Sequence, residues 1–298
     1  MRRSSAIRVM IRQGRPPVSA SHVSTLSPQT ALLKIKPLTA RIGAEVSGVD
    51  LTKPLTTEQV AGINDALMAH QVIFFRDQPM DLTAHERFGG YFGELYDHVD
   101  VFGEEYIAKH AQPGHPGIVT IHADETSKGV AAEQWHTDMS CNAAPPMGTI
   151  LHLHTLPPIG GDTLFASTTA AYDALSPRMK VYLEGLTATH DGGPAFSFFM
   201  GDRKFPKTVH PVVQTHPVTG KKLIFVNEEF TTRINGLPRG EGEALLKFLV
   251  AHCAKPDFQV RFRWEKDSVA FWDNRCTQHL AVWDYFPNTR SGFRVVIL

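Results

Sequence analysis

Residues 258–298 read FQVRFRWEKDSVAFWDNRCTQHLAVWDYFPNTRSGFRVVIL, and they carry the clearest β signal in the chain. Phe258, Val260, Phe262 and Trp264 alternate with polar neighbours, the period of a strand with one buried face. Glu265 to Ser268 reads as a turn, Val269 to Trp272 as a further strand and Phe293 to Leu298 as a last one. The same stretch carries a cluster of polar residues, Asp273-Asn274-Arg275 and Gln278-His279, followed by Arg290 and Arg294.

Upstream the texture is mixed. A helix is predicted over about 241 to 252, with Leu245, Phe248, Leu249 and His252 on one face. Ser176-Pro177 opens another, Ser as N-cap and Pro at the first helical position, and Gly185 closes it. Leu151 to His154 and Gly160 to Phe165 read as two strands joined by a tight turn, and residues 95 to 134, polar and punctuated by Pro and Gly, as a long loop over a site. Val72 to Phe75 fits a buried strand. Thr56 with Gln59 makes a capping box before a helix that runs to His70, and Thr83 with Glu86 repeats the pattern for a second helix. No repeat and no Pro/Gly linker divides residues 32–298, so one domain with a mostly β core and flanking helices is expected.

Composition narrows the function. With 298 residues and 42% hydrophobic content the chain can bury a sizeable core. Eight of the 30 Lys and Arg and none of the 30 acids fall in the first 44 residues, which leaves the other 254 with a net charge of minus 8. Without a basic patch interleaved with aromatics, nucleic acid is not an expected partner. Nor is a membrane, since no apolar run approaches the length of a span. Cys141, Cys253 and Cys276 are odd in number and widely spaced, which fits neither a disulfide framework nor a zinc finger and points to the cytoplasm. Residues 1–31 are rich in Arg and Ser. They have the composition of a transit peptide but no sustained amphipathic period, and read as a disordered tail or a misplaced start.

The chemistry centres on Trp135-His136-Thr137-Asp138. On an extended strand His136 and Asp138 would point the same way. An imidazole and a carboxylate make an incomplete metal site. A second histidine would complete the 2-His-1-carboxylate triad, which leaves three positions open on Fe(II), and His279 is the candidate. The spacing alone is weak, because His122-Ala123-Asp124 has the same form. His279 also reads as a core histidine, Arg290 and Arg294 as surface arginines beside a strand, and Thr163 as a turn cap. What separates His136 from its decoy is the company of all these residues downstream.

Over residues 32–298 the chain resembles the taurine/2,4-D dioxygenase family of Fe(II)- and 2-oxoglutarate-dependent oxygenases. The resemblance rests on Trp135 to Asp138, Gly160-Gly-Asp-Thr163, His210-Pro, Phe225-Val-Asn227, Phe230-Thr-Thr-Arg233, Trp272 to Arg275 and Gln278-His279. It implies a double-stranded β-helix, or jelly roll, and a homo-oligomer, dimer or tetramer. By motif position it makes His136, Asp138 and His279 the iron ligands. Arg290 becomes the partner of the distal carboxylate of 2-oxoglutarate, Thr163 the hydroxyl that assists it, and O2 the second cosubstrate. A planar guanidinium suits that task because it holds a carboxylate bidentately.

The resemblance also places a small anionic organic substrate against Arg294, His98 and the backbone N–H of Met139, with Phe230 as a wall. Taurine-oxidising members receive the substrate amine on an asparagine and a tyrosine where this chain has Ala132 and Val101. An apolar tail is therefore expected on the anion, as in an alkyl sulfonate, an alkyl sulfate or an aryloxy acid. The alternatives are taurine dioxygenase proper and a non-catalytic jelly-roll binding module.

Overall fold

Val72–Phe75 is buried at all four positions, so this strand must be covered on both faces. The structure, a computed structural model, describes residues 33–99, 103–130, 132–201 and 203–298, and it shows what covers them. Val72–Phe75 lies inside an eight-stranded sheet whose order is Lys34–Pro37, Ala44–Ser47, Val72–Phe75, Ser268–Asp273, Gly148–Thr155, Arg290–Ile297, His115–Ala123 and Ala111–Gln112. On one face Ile73, Phe75, Val269 and Phe271 pack against Ile63 and Leu67 of the helix Thr57–His70 and Phe88 of the helix Leu82–Gly90. On the other, Val72, Phe74, Ala270 and Trp272 meet Phe165, Val260 and Phe262. These come from a three-stranded sheet of order Gln259–Phe262, Thr163–Ser167 and Thr277–Ala281. Phe74 stacks on Phe262 with ring centroids 3.8 Å apart, which fixes the two sheets face to face. A further three-stranded sheet, Thr231–Ile234, Thr187–Asp191 and Lys207–Pro211, belongs with the helix Arg239–Cys253 and its own apolar cluster.

The architecture is mostly β with flanking helices, as expected. The Thr56–Gln59 capping box is present, with both reciprocal hydrogen bonds made. Ser176 caps Pro177–Leu183. No helix among the described residues is long and apolar enough to cross a membrane.

Four local readings need correction. The second helix is capped by Asp81, whose carboxylate accepts from Ala84 N at 2.7 Å, and not by Thr83. Gly148–Thr155 and Thr163–Ser167 form no hairpin; they lie in different sheets, and Gly160 and Gly161 carry the chain from one to the other with φ of +83° and +74°. The expected loop at 95–134 contains the helix Glu104–His110 and the nine-residue strand His115–Ala123, paired along the last strand. Phe248 is exposed on its helix and only lies over His252. Residues 1–31 and Val101 lie outside the described residues.

Candidate active site

His136 and His279 meet across a reciprocal backbone bridge, His136 N donating to His279 O at 3.1 Å and His279 N to His136 O at 2.8 Å. This ties the loop before Gly148–Thr155 to the smaller sheet. The two ligand candidates of the loop do not share a strand face: only His136 is in a bridge. The chain turns at Asp138, helped by Met139 at φ +51° and by the Thr137 hydroxyl donating to Thr277 O at 2.9 Å. The turn brings Asp138 Oδ1 within 3.8 Å of His136 Nε2 and 3.9 Å of His279 Nε2.

The hydrogen bonds leave the right atoms free. Asp138 Oδ2 accepts from the Thr149 hydroxyl at 2.7 Å, and Asn274 in turn donates to that hydroxyl at 2.9 Å. Oδ1 faces the two histidines and Arg294. His136 Nδ1 donates to Gln134 O at 2.9 Å, so when the ring is neutral its Nε2 carries the lone pair. His279 is held by rings instead, Trp272 at 4.7 Å and Phe165 at 6.0 Å.

Charge tells the same story. Burial resists ionisation of Asp138, but His279, His136 and Arg294 hold its carboxyl well below the usual range. Burial also opposes a proton on His136, yet Glu229 and Asp138 raise it to about 9, while burial and the neighbouring His136 hold His279 well below its ordinary value. The cluster thus attracts positive charge at the point where two imidazole nitrogens and one carboxylate oxygen converge within 4.8 Å, a donor set that fits a divalent iron ion.

A second group, His216, Asp273 and Cys276, is equally close but does not fit a metal. His216 Nδ1 accepts from Val218 N and Thr219 N, and its Nε2 donates to Asp273, so no imidazole lone pair is left. Arg275 holds both oxygens of Asp273.

Arg290 is buried, its Nε donating to Gly161 O at 3.0 Å and its Nη2 to Thr163 Oγ1 at 3.3 Å. Among the described residues no carboxylate stands within salt-bridge distance of it, and Asp162 acts on its charge only from farther away. The Gly161 turn needs its glycine: φ is +74°, and a Cβ would lie 3.1 Å from Arg290 Cδ. Arg294 pairs with Val119 as Arg290 pairs with Ala123, so along this edge the two arginines share a face. Arg294 Nη1 is 3.4 Å from Asp138 Oδ1, and its Nε has no hydrogen-bond partner among the described residues.

A cavity of about 630 Å³ opens above His136, Asp138 and Arg294. Val119, Ile121, Ala132, Met139, Phe196 and Phe230 give it apolar walls. His98 is not part of this lining. It is buried beside Tyr96, ring centroids 5.0 Å apart, and burial together with the charge of Arg294 pushes it down to about 3, so its ring is neutral. The decoy stays apart: His122 is half exposed on its strand and meets Asp124 at 3.2 Å.

Three residues of the site gave no usable signal in the sequence. Thr149 opens an apolar strand, and Trp264, which donates to Thr163 at 2.9 Å, looked like a core aromatic. Glu229, 3.2 Å from His136 Nδ1, sits between two motif pieces, Asn227 and Phe230. The other motif pieces form a scaffold. Asn227 and His190 both bond the Ser140 hydroxyl, His210 meets Ser140 O, and Phe230 N donates to Asn227.

Residues 34–296 match the family described as taurine catabolism dioxygenase TauD, TfdA family. An alkylsulfatase of Acinetobacter baylyi is 34% identical over 285 residues, which is 90% of this chain and 86% of that one. An alpha-ketoglutarate-dependent sulfate ester dioxygenase of Pseudomonas putida is 33% identical over 286 residues, 91% of each. The crystal structure of a taurine dioxygenase from Burkholderia xenovorans is similar at a TM-score of 0.78 and 38% identity over 89% of both chains. Since the family match runs from the first strand through His136, Asp138, His279 and both arginines, the chain belongs to the TauD/TfdA family of 2-oxoglutarate-dependent dioxygenases.

Proposed function

We propose that this chain is an Fe(II)- and 2-oxoglutarate-dependent dioxygenase that hydroxylates a small organic anion with an apolar tail, an alkyl sulfate or sulfonate or an aryloxy acid, at the carbon next to the heteroatom. The observation that carries the reading is Arg294. It stands beside the carboxylate Asp138 in a cavity walled in part by Val119, Ile121, Phe196 and Phe230, and its Nε–H has no hydrogen-bond partner among the described residues. An anion bound there would place its first carbon next to the cluster of His136, Asp138 and His279. With iron on those three side chains and 2-oxoglutarate beside it, the pair would supply oxidative chemistry with O2 as the oxidant: one oxygen atom would end in succinate as the 2-oxo acid loses CO2, and the other in the substrate's new hydroxyl.

The residues supply the rest. Arg290 and Thr163 would hold the distal carboxylate of 2-oxoglutarate, and Trp264 keeps the Thr163 hydroxyl turned toward Arg290. Val119, Ile121 and Phe196 would cover the tail and keep water from the reacting carbon. Ala132 in the wall offers no acceptor for an amine, and the carboxylate of Glu229, which lines the same cavity, is turned to His136. A hydroxyl added beside a sulfate ester collapses to an aldehyde and sulfate; beside a sulfonate it gives an aldehyde and sulfite.

The same reading takes residues 32–298 as one domain in which the large sheet and the smaller sheet form a double-stranded β-helix, and the chain as a cytoplasmic homo-oligomer. Three buried, unpaired cysteines suit that compartment. The test is succinate release coupled to substrate loss across taurine, alkyl sulfonates, alkyl sulfates and aryloxy acids. Turnover is expected with the tailed anions and little with taurine. Arg294→Ala should raise the KM of the substrate and Arg290→Ala that of 2-oxoglutarate, each by about 2–5 kcal/mol. An Arg294→Ala enzyme with unaltered substrate KM would refute the anion site.

A further inference from the structure

Glu229 has no part in the chemistry above, yet it is one of the best-placed acids in the molecule. The backbone fixes it: Glu228 N and Glu229 N both donate to Trp135 O, at 3.0 and 3.4 Å, so the segment is locked to the residue before His136. Its side chain is mostly buried, with Oε2 at 3.2 Å from His136 Nδ1. That oxygen has no hydrogen-bond partner among the described residues. The same Nδ1 donates to Gln134 O at 2.9 Å, and the Glu229 carboxylate lies beside that N–H without sharing it. His279 has nothing comparable: its Nδ1 has no hydrogen-bond partner among the described residues.

We propose that Glu229 is the positioning carboxylate of His136, held behind the ring to raise the basicity of Nε2 and tighten this site's hold on a divalent metal ion. This rests on the iron reading given above. Gln134 O alone would set the tautomer. A carboxylate adds charge 3.2 Å from Nδ1, where partial burial weakens solvent screening. It also balances the local field. Asp138 and Glu229 bring two negative charges to the cluster against the one positive charge of Arg294, so a divalent ion leaves the site with a single excess positive charge for the anions to meet.

The test is anaerobic Fe(II) titration by calorimetry of the full chain, its Glu229→Gln and Glu229→Ala variants, and His136→Ala. The metal-free variants are first checked for a wild-type melting temperature. Glu229→Gln keeps the volume of the side chain and removes only the charge. Both Glu229 variants should bind Fe(II) about 10 to 100-fold more weakly, the range for lost partners of a ligand histidine. The Kd of the Gln variant for 2-oxoglutarate, measured at saturating metal, should stay level or tighten, because the site has become more positive. A folded Gln variant whose Fe(II) Kd stays within threefold of wild type overturns the proposal. So does loss of amine-bearing substrates alone with metal affinity intact, which would assign Glu229 to the substrate instead. Wild-type protein that binds no Fe(II), or His136→Ala binding as tightly as wild type, would overturn the iron reading itself and this inference with it.

Discussion

Asp138 divides its two oxygens between two tasks, and the division explains why only one of two identical motifs makes a site. Oδ2 is spent on Thr149, which belongs to the large sheet, while Oδ1 faces two imidazoles. In the decoy Asp124 instead accepts from the backbone and hydroxyl of Thr126, as in a surface turn, and burial of the pair is lacking. His136→Ala should therefore abolish Fe(II) binding and lower turnover by about 10²-fold or more, whereas His122→Ala should leave both within a factor of two. Equal losses in the two variants, measured by metal titration and succinate release, would contradict this assignment. Nothing within three residues distinguishes the motifs. The difference became legible only because His279, Arg290 and Thr163 stood at matching distances downstream, and the structure brings all of them to one end of the space between the sheets. Thr149 and Glu229 stayed hidden because each acts through a tertiary contact with one ligand and carries no pattern of its own.

The last strand, Arg290–Ile297, is the element on which the site depends most. It pairs with both Gly148–Thr155 and His115–Ala123, and holds one arginine for each proposed anion. Between the arginines sits Gly292, where the register slips against Gly148–Thr155. A Cβ there would run into His152 O and come 2.9 Å from Leu153 Cα, backbone that cannot swing away. Gly292→Ala should cost about 1–3 kcal/mol of stability and weaken 2-oxoglutarate and substrate together, since both arginines ride on the displaced strand. Thr56→Ala, which removes a helix cap remote from the site, should cost about 1 kcal/mol with both KM values intact. Urea midpoints and the two KM values separate the cases. If Gly292→Ala left both KM values alone, the strand would not be the shared support. Sequence revealed this strand and its neighbours well, because alternation and apolar runs are local. It hid His115–Ala123, whose Pro116 and Gly117 look like loop punctuation. Proline is tolerated near a sheet edge, and only the short Ala111–Gln112 lies beyond this strand. It also merged Gly148–Thr155 with Thr163–Ser167, since a crossing between sheets and a hairpin use the same glycines.

At the scale of the whole molecule, two covered faces of one large sheet leave little room for polar groups, and several histidines are buried all the same. His85, on the helix side, faces His152, whose own partner is Asp267; burial and then the His152 ring push His85 down to about 3. His190, in the sheet behind the active-site loop, faces His210 and Ser140, and burial and then His210 push it down to about 4. Both are neutral in the fold, while in the unfolded chain they titrate near 6.5. Between about 6.5 and these depressed values the unfolded state binds protons that the folded state refuses. Stability contributed by keeping the two rings neutral is thus full above about pH 6.5 and is lost as pH falls toward 4 and then 3, by up to about 1.4 kcal/mol per pH unit for each ring. The metal-free protein should accordingly show a urea midpoint that declines steadily as pH falls from 6.5 to 4.5, a range in which His136, raised to about 9, is protonated in the fold throughout. His85→Phe, which keeps an aromatic ring in the apolar layer, should lower that slope by up to one proton whatever it does to stability at pH 8. A midpoint that stayed level down to pH 5 would mean that these rings take up protons inside the fold, and that the layers around them are wetter than their burial implies.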